Sequence, residues 1–467
     1  MTALTRRRRP PLAPALVIAG ALAIAVGAQL VAALAHAGPT AAPAVAPAAV
    51  GPLLDPAAVA PAADGLSPNE ELARARADVD FWAARVQAHA FDIVAAVKLA
   101  ESDLVEARLT GDVTAYLRAR DAVNIALKAQ PAYLPAKDLG ATILVSLHRF
   151  PDALAQGQSI LAASPGDATA LGVIGDASLE LGDVTTAGKA YAALARVADG
   201  SASRVRAGHL AFVAGDSVTA LADTRAAVQA ATDEALEGSA LGFYEVTLGE
   251  MLIATGDPAE ARSAYGAALA ASPDLPAALV GLAKLDAFAG DTDRAIAELS
   301  TAAAAIPLPD TLARRADLYQ LRGAPGDAAR ATADRATVQA IAKLAGDAAY
   351  VYDRGQSLFL SDHGLDPGRA VSLAEHELAV RKDVYGYDAL AWALLNAGRG
   401  AEADVPMQAA LAFGTRDARL WYHAGLIAAA DGRPAEARTD LAQALALGPA
   451  LDPLSRRRAT TAMAALP

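Results

Sequence analysis

The chain has 467 residues, of which 54% are hydrophobic, only 5% are aromatic and none is cysteine, and 40 basic against 52 acidic residues give a net charge of −12. So apolar a chain with so few rings owes its character to alanine, the strongest helix former, which excludes a β-sandwich and excludes disorder. The lack of cysteine excludes disulfides, thiolate metal sites and cysteine nucleophiles, and the acidic balance disfavours nucleic acid as a partner.

The first element is N-terminal. Arg6, Arg7, Arg8 and Arg9 precede an uncharged stretch from Pro10 to Leu34 whose apolar heart runs from Leu16 to Val26. A positive n-region before a hydrophobic run orients the start toward the cytoplasm. Ala35-His36-Ala37 offers small residues at the positions a signal peptidase reads, whereas the length of the run approaches a bilayer span. Residues 1–37 are therefore expected to be a signal peptide or a transmembrane anchor through residues 12–34, and all that follows to lie outside the cytoplasm. Removing the four arginines leaves −16 on the remainder. The largest basic run there is Arg456-Arg457-Arg458, too short for a nucleic-acid stripe.

Residues 38–66 form a linker rich in Ala and Pro, with Pro39, Pro43, Pro47, Pro52, Pro56 and Pro61 at near-regular intervals. Proline at that density forbids helix and favours an extended, semi-stiff spacer. Helix resumes at Ser67-Pro68-Asn69-Glu70, which reads as a capping serine, a first-turn proline and a glutamate reaching back. Residues 67–99 are expected to form capping helical turns.

From there the sequence repeats. Pro131 and Pro165 stand 34 residues apart, as do Pro273 and Pro307. Before Pro273 come Gly249, Ala261, Tyr265 and Ala268; before Pro449 come Trp421, Gly425, Ala437, Leu441 and Ala444; the same positions one period earlier hold Tyr387, Ala391, Ala403, Met407 and Ala410. Small residues (Ala141, Gly175, Gly208, Gly249, Ala283, Ala391, Gly425) mark where one helix of a pair crosses the other. Alanines such as Ala153, Ala187, Ala220, Ala261, Ala295, Ala403 and Ala437 supply the matching face, and Tyr191, Tyr265, Leu299 and Leu441 plug the gap to the next pair. Gly182-Asp183, Gly215-Asp216, Gly256-Asp257 and Gly290-Asp291 keep the same period, so they read as helix stops and starts rather than calcium or phosphate sites.

In period and residue class the region from 100 to about 451 resembles the tetratricopeptide repeat family, and bacterial exported or tethered members in particular. The resemblance implies an all-α fold, an α-solenoid of about ten helix-turn-helix repeats wound into a right-handed superhelix, with a concave groove that takes peptide or protein segments. Unit starts fall near residues 100, 134, 168, 201, 242, 276, 310, 351, 384 and 418, with extra residues from Asp233 to Leu241. A degenerate stretch, Leu344 to Tyr350, divides an N-terminal block (100–343) from a C-terminal block (344–455), and 456–467 read as a short tail.

The register places Phe243, Val246, Glu250 and Ile253 in the groove, then Val280 and Lys284, Tyr352, Phe359 and Asp362, Tyr385, Asp388 and Trp392, and Tyr422 with Leu426. Rings gather in the last three repeats and suit partner anchoring; a register error of one would make them core instead. Val246 with Glu250 and Val280 with Lys284 do not reproduce the clamp with which some family members grip acidic tails, and the overall acidity favours a neutral or basic partner.

No catalytic residue stands out: there is no Gly-x-Ser-x-Gly elbow and no phosphate loop after a strand. His89, His148 and His209 have no paired ligand at metal spacing. Asp362-His363, Asp366 and Glu375-His376-Glu377 read as solvated polar residues, with a zinc or nickel site only if the fold brings His376 back to His363. The expected function is a non-enzymatic extracytoplasmic scaffold binding envelope proteins or peptides, with no cofactor or resident metal. A tethered accessory protein handling a small ligand or metal, and an uncharacterised enzyme, are the alternatives.

Overall fold

The computed structural model describes residues 66–344 and 350–467; the leader and linker, and most of the degenerate stretch at 344–350, lie outside them. The first described helix, Pro68–Ala88, starts as its sequence requires: the Ser67 side chain accepts from the Glu70 N–H, Glu70 accepts in return from the Ser67 N–H at 2.9 Å, and Pro68 fills the first turn. It is a full helix of 21 residues rather than a turn or two.

Ten helix pairs follow. Their first helices are Ile93–Thr110, Leu134–Ser146, Ala168–Glu180, Ser201–Val213, Gly238–Thr255, Pro276–Ala289, Pro309–Arg322, Asp353–Asp362, Val384–Asn396 and Ala418–Ala430. Their second helices are Val113–Ala129, Phe150–Ala163, Val184–Val197, Ser217–Asp233, Pro258–Ala271, Thr292–Ala305, Asp327–Leu344, Pro367–Val380, Gly400–Leu411 and Pro434–Ala446. Unit one begins at Ile93 rather than near 100. The extra residues of unit four are absorbed as added helical turns in Ser217–Asp233 and Gly238–Thr255. The expected tail is part of a closing helix, Pro453–Ala465, whose Asp452 cap accepts from the Ser455 N–H at 2.9 Å. Among the described residues no helix is long and apolar enough to cross a membrane.

Packing within each pair follows the small-against-large logic of the sequence. Ala153, Ala187, Ala220, Ala261, Ala295, Ala403 and Ala437 have no exposed surface, and the plugs Tyr265, Leu299 and Leu441 are equally covered. A Cβ placed on Gly249 would lie 2.5 Å from the Tyr265 ring, so hydrogen is the only substituent the crossing accepts. The Gly-Asp pairs are punctuation. The glycines end helices at positive φ, and the carboxylates of Asp183, Asp216, Asp257 and Asp291 accept from backbone N–H groups of the next helix at 2.9–3.1 Å.

Winding brings distant units together. The loops that end the first helices of units two, three and four meet the loops that open units eight, nine and ten, six units further on. Tyr350 Oη donates to Leu147 O at 2.9 Å, Arg381 Nε donates to Glu180 at 2.6 Å, and Thr415 Oγ1 donates to Val213 O at 2.6 Å. Gly182 and Gly215, both at positive φ, sit directly beneath Lys382 O and Gly414 O, where a Cβ would overlap the neighbouring backbone. Units eight to ten are thus a second superhelical turn stacked edge-on upon the first.

Candidate functional site: a chamber on the concave face

Stacking turns the groove into a chamber of about 390 Å³. One wall is the concave face of units five to seven, contributing Glu250, Ile253, Val280, Lys284, Asp310, Arg314, Asp317 and Leu321. Opposite stand Tyr352 and Phe359 of unit eight, Arg419 of unit ten and the segment Pro449–Leu454. The volume and the mixture of apolar surface with a few convergent polar groups are those of a binding site.

Charges alternate along the first wall. Lys284 Nζ donates to both Glu250 carboxylate oxygens at 2.6 and 2.8 Å, and Tyr265 Oη adds a third donor at 2.8 Å. Burial pushes Glu250 up, but Lys284, Tyr265 and Arg314 outweigh it and hold the carboxyl below its ordinary range. One unit on, Arg314 Nε donates to Asp310 at 2.7 Å, and Arg314, Lys284 and Arg419 likewise overcome burial to hold Asp310 low. Asp310 and Arg314 keep 41% and 35% of their side-chain surface open although the fold surrounds them, because that surface faces the chamber. Farther along, His363 bonds Asp317 at 2.9 Å through Nε2; burial lowers its pKa, but the Asp317 carboxylate more than compensates and raises it.

Of the residues the sequence placed in the groove, Glu250, Lys284, Tyr352 and Phe359 line the chamber, as do Ile253, Val280 and Asp362. Trp392 and Tyr422 do not: each is 1% exposed, and their ring centroids lie 5.5 Å apart. Asp388 is wholly buried, bonded to His423 Nδ1 at 2.7 Å and 3.2 Å from Arg419 Nε. Tyr385 lies under the Arg419 guanidinium at 5.2 Å. These four form the layer behind the chamber. Trp392 Nε1 donates to Asp362 at 2.8 Å, while Asp388 and Tyr385 hold Arg419, so they aim wall residues instead of facing a partner. Phe243 is half-buried, edge-on to Tyr244 at 5.1 Å, and is not among the lining residues.

The two histidines considered as a metal pair are not brought together. His363 is in the chamber wall, whereas His376 is 62% exposed and bound to Asp353 through Nδ1 at 2.5 Å. Among the described residues no three His, Asp or Glu side chains converge on a metal position. Arg314, Asp310 and Asp317 went unread in the sequence, although Arg314 follows Val280 by one 34-residue period and the register would have found it. Arg419 and Pro449–Leu454 carry no such signal, because only superhelical closure brings them to the chamber.

A tetratricopeptide repeat family model matches residues 252–318, the stretch that supplies most of the concave wall. With ten helix pairs that repeat this unit along the described residues, the chain is a tetratricopeptide repeat protein. Among solved structures it is similar to a tetratricopeptide repeat protein from Parabacteroides merdae ATCC 43184, at 18% identity over 56% of this chain and 98% of that one, TM-score 0.31. It is also similar to a thermophilic member from Thermus thermophilus, at 19% identity over 41% of this chain and 98% of that one, TM-score 0.37. A third is the type IV pilus biogenesis factor PilW, at 19% identity over 45% and 93%, TM-score 0.37. No curated protein matches the sequence.

Proposed function

We propose that the protein is a non-catalytic scaffold of the cell envelope that holds a short segment of a protein partner in the chamber between its superhelical turns. The observation that carries this reading is the chamber itself. Its ion pairs present donors and acceptors side by side, as a peptide backbone requires, and Val280, Leu321, Tyr352 and Phe359 offer apolar contact to side chains. Net charge in the wall is small, so the segment is neutral rather than strongly acidic or basic. The envelope location rests on Arg6–Arg9 and the apolar run behind them, acting as export signal or anchor, with residues 38–66 as spacer.

The test is site-specific photo-cross-linking of the full chain in its producing cells. A photoreactive residue at Val280, in the chamber wall, is expected to trap a polypeptide that the same residue at Val405, 75% exposed on the outer surface, does not. Equal adducts at both positions, or adducts at Val405 alone, would overturn chamber binding.

A further inference from the structure

The stacked turns meet at a buried cluster of charge. On the second turn Arg354 bonds Asp383 at 2.6 Å and stands 3.0 Å from Glu377, and Arg381 stands 3.3 Å from Glu377. Two arginines against two carboxylates leave that side balanced by itself. The first turn then adds Glu180, which reaches across to Arg381 at 2.5 Å and is 7% exposed. The joined cluster therefore holds one carboxylate more than it has cations. Lys382, between Arg381 and Asp383, is exposed to water, and the buried titratable groups around the cluster supply no positive charge. His148 is kept neutral by burial and by Arg381 and Arg354, His209 is pushed down by burial, Tyr191 Oη is pushed up, and Asp176 is matched by Arg206 at 2.9 Å. His148, Arg354 and Arg381 also line the chamber, so this cluster is wall and seam at once.

We propose that the seam between the superhelical turns is a pH-sensitive latch over the chamber: it closes when the Glu180 carboxyl carries a proton and loosens when that proton is lost. An uncompensated buried carboxylate is costly, and protonation removes the cost while keeping an oxygen to accept from Arg381. Opening needs no hinge, because small rotations at each of the six unit-to-unit steps between the joined loops add up to a parted seam. The inference stands whatever the chamber holds.

The sign follows from linkage. Burial, offset in part by Arg381, raises the Glu180 carboxyl to about 7 from 4.5. A raised carboxyl favours the closed seam below its open-state value, and the advantage disappears as pH climbs through the closed-state value. Between roughly pH 5.5 and pH 8.5 this shift corresponds to about a 30-fold fall in the closed-to-open ratio.

The lack of native cysteine allows a direct measurement. Thr415→Cys places a thiol at the seam, where the residue is 2% exposed and bonded to Val213 O; Ala261→Cys places one in the core of unit five, away from it. Labelling rates of the full chain, divided by those of a free thiol at the same pH, report how often each site opens. Protection at 415 is expected to be weaker than at 261 and to fall about 30-fold across the pH range. With Glu180→Gln, which keeps an acceptor for Arg381 without the extra charge, it is expected to stay flat. Equal protection at the two sites would mean that the seam opens only when the chain unfolds, and an unchanged pH response in Glu180→Gln would place the titration elsewhere. Either result overturns the latch.

Discussion

Units five to seven and units eight to ten use one helical register for opposite ends. In the first set the groove positions Glu250, Val280 and Lys284 open onto the chamber. In the second, Asp388, Trp392 and Tyr422 at corresponding positions are sealed beneath a further layer. The cause is the end of the array: after unit ten the chain turns at Pro449 and runs inward, and Leu451 and Ala459 of the closing segment join Trp392 and Tyr422 in one apolar cluster. A solenoid's concave face is thus a surface only where no later turn covers it.

The comparison breaks most visibly at Trp392. Its ring stacks on His423 at 4.0 Å and its N–H satisfies Asp362, so Trp392→Ala leaves a cavity and takes from the chamber-lining Asp362 its indole donor. A loss of about 3–5 kcal/mol is expected in urea denaturation followed by helical circular dichroism. A loss under 1 kcal/mol would return the ring to the open surface. A smaller effect with a change of sign is expected within unit five. Gly249→Ala should destabilise by roughly 1–3 kcal/mol despite alanine's helix preference, because Tyr265 fills the space. Gly266→Ala, seventeen positions later in the second helix of the same unit with nothing near its Cβ, should stabilise by about 0.5–1 kcal/mol. The same sign for both would mean that helix propensity, not the close crossing, governs these positions.

Much of this fold is legible in the sequence because its rules are local. Period, crossing glycines, covered alanines and Asp caps each depend on residues within one or two units, and Ala261, Tyr265 and Asp257 stand where a one-period reading puts them. The chamber is legible only by half. Glu250 and Lys284 follow from the register and so does Arg314, but whether a groove position remains open is decided by what the chain later lays over it, as the segment after Pro449 does over Trp392 and Tyr422. The rotation of each unit and the inward turn at the end of the array decide that cover, and no residue spacing records them. Trp392 and Tyr422 look like partner anchors for this reason: aromatic residues serve a covered interface equally well when the cover is the chain itself.

The finest difference between the two regions lies in how they titrate. Glu250 keeps 43% of its side chain open to the chamber, so water screens its pair with Lys284, and Glu250→Gln should cost less than about 1 kcal/mol near neutrality. Because the carboxyl is held below 4.5, its contribution is present above that value and disappears as pH falls through the lower folded-state value. The deficit of the variant should therefore vanish in acid. Asp362, in unit eight, runs the other way. Burial raises its carboxyl above 3.8 against the pull of His423 and the Trp392 N–H, so the charged form is a burden that grows as pH rises from 3.8 and levels off above the folded-state value. Asp362→Asn retains an acceptor for the indole and sheds that burden, so it should match or exceed the parent at neutral pH and lose any advantage in acid. Denaturation midpoints of the two variants measured from acid to neutral should accordingly diverge from the parent in opposite directions. If both deviate in the same direction, the cation-paired carboxylate of unit five and the indole-bonded carboxylate of unit eight do not differ in their electrostatics, although both face the chamber.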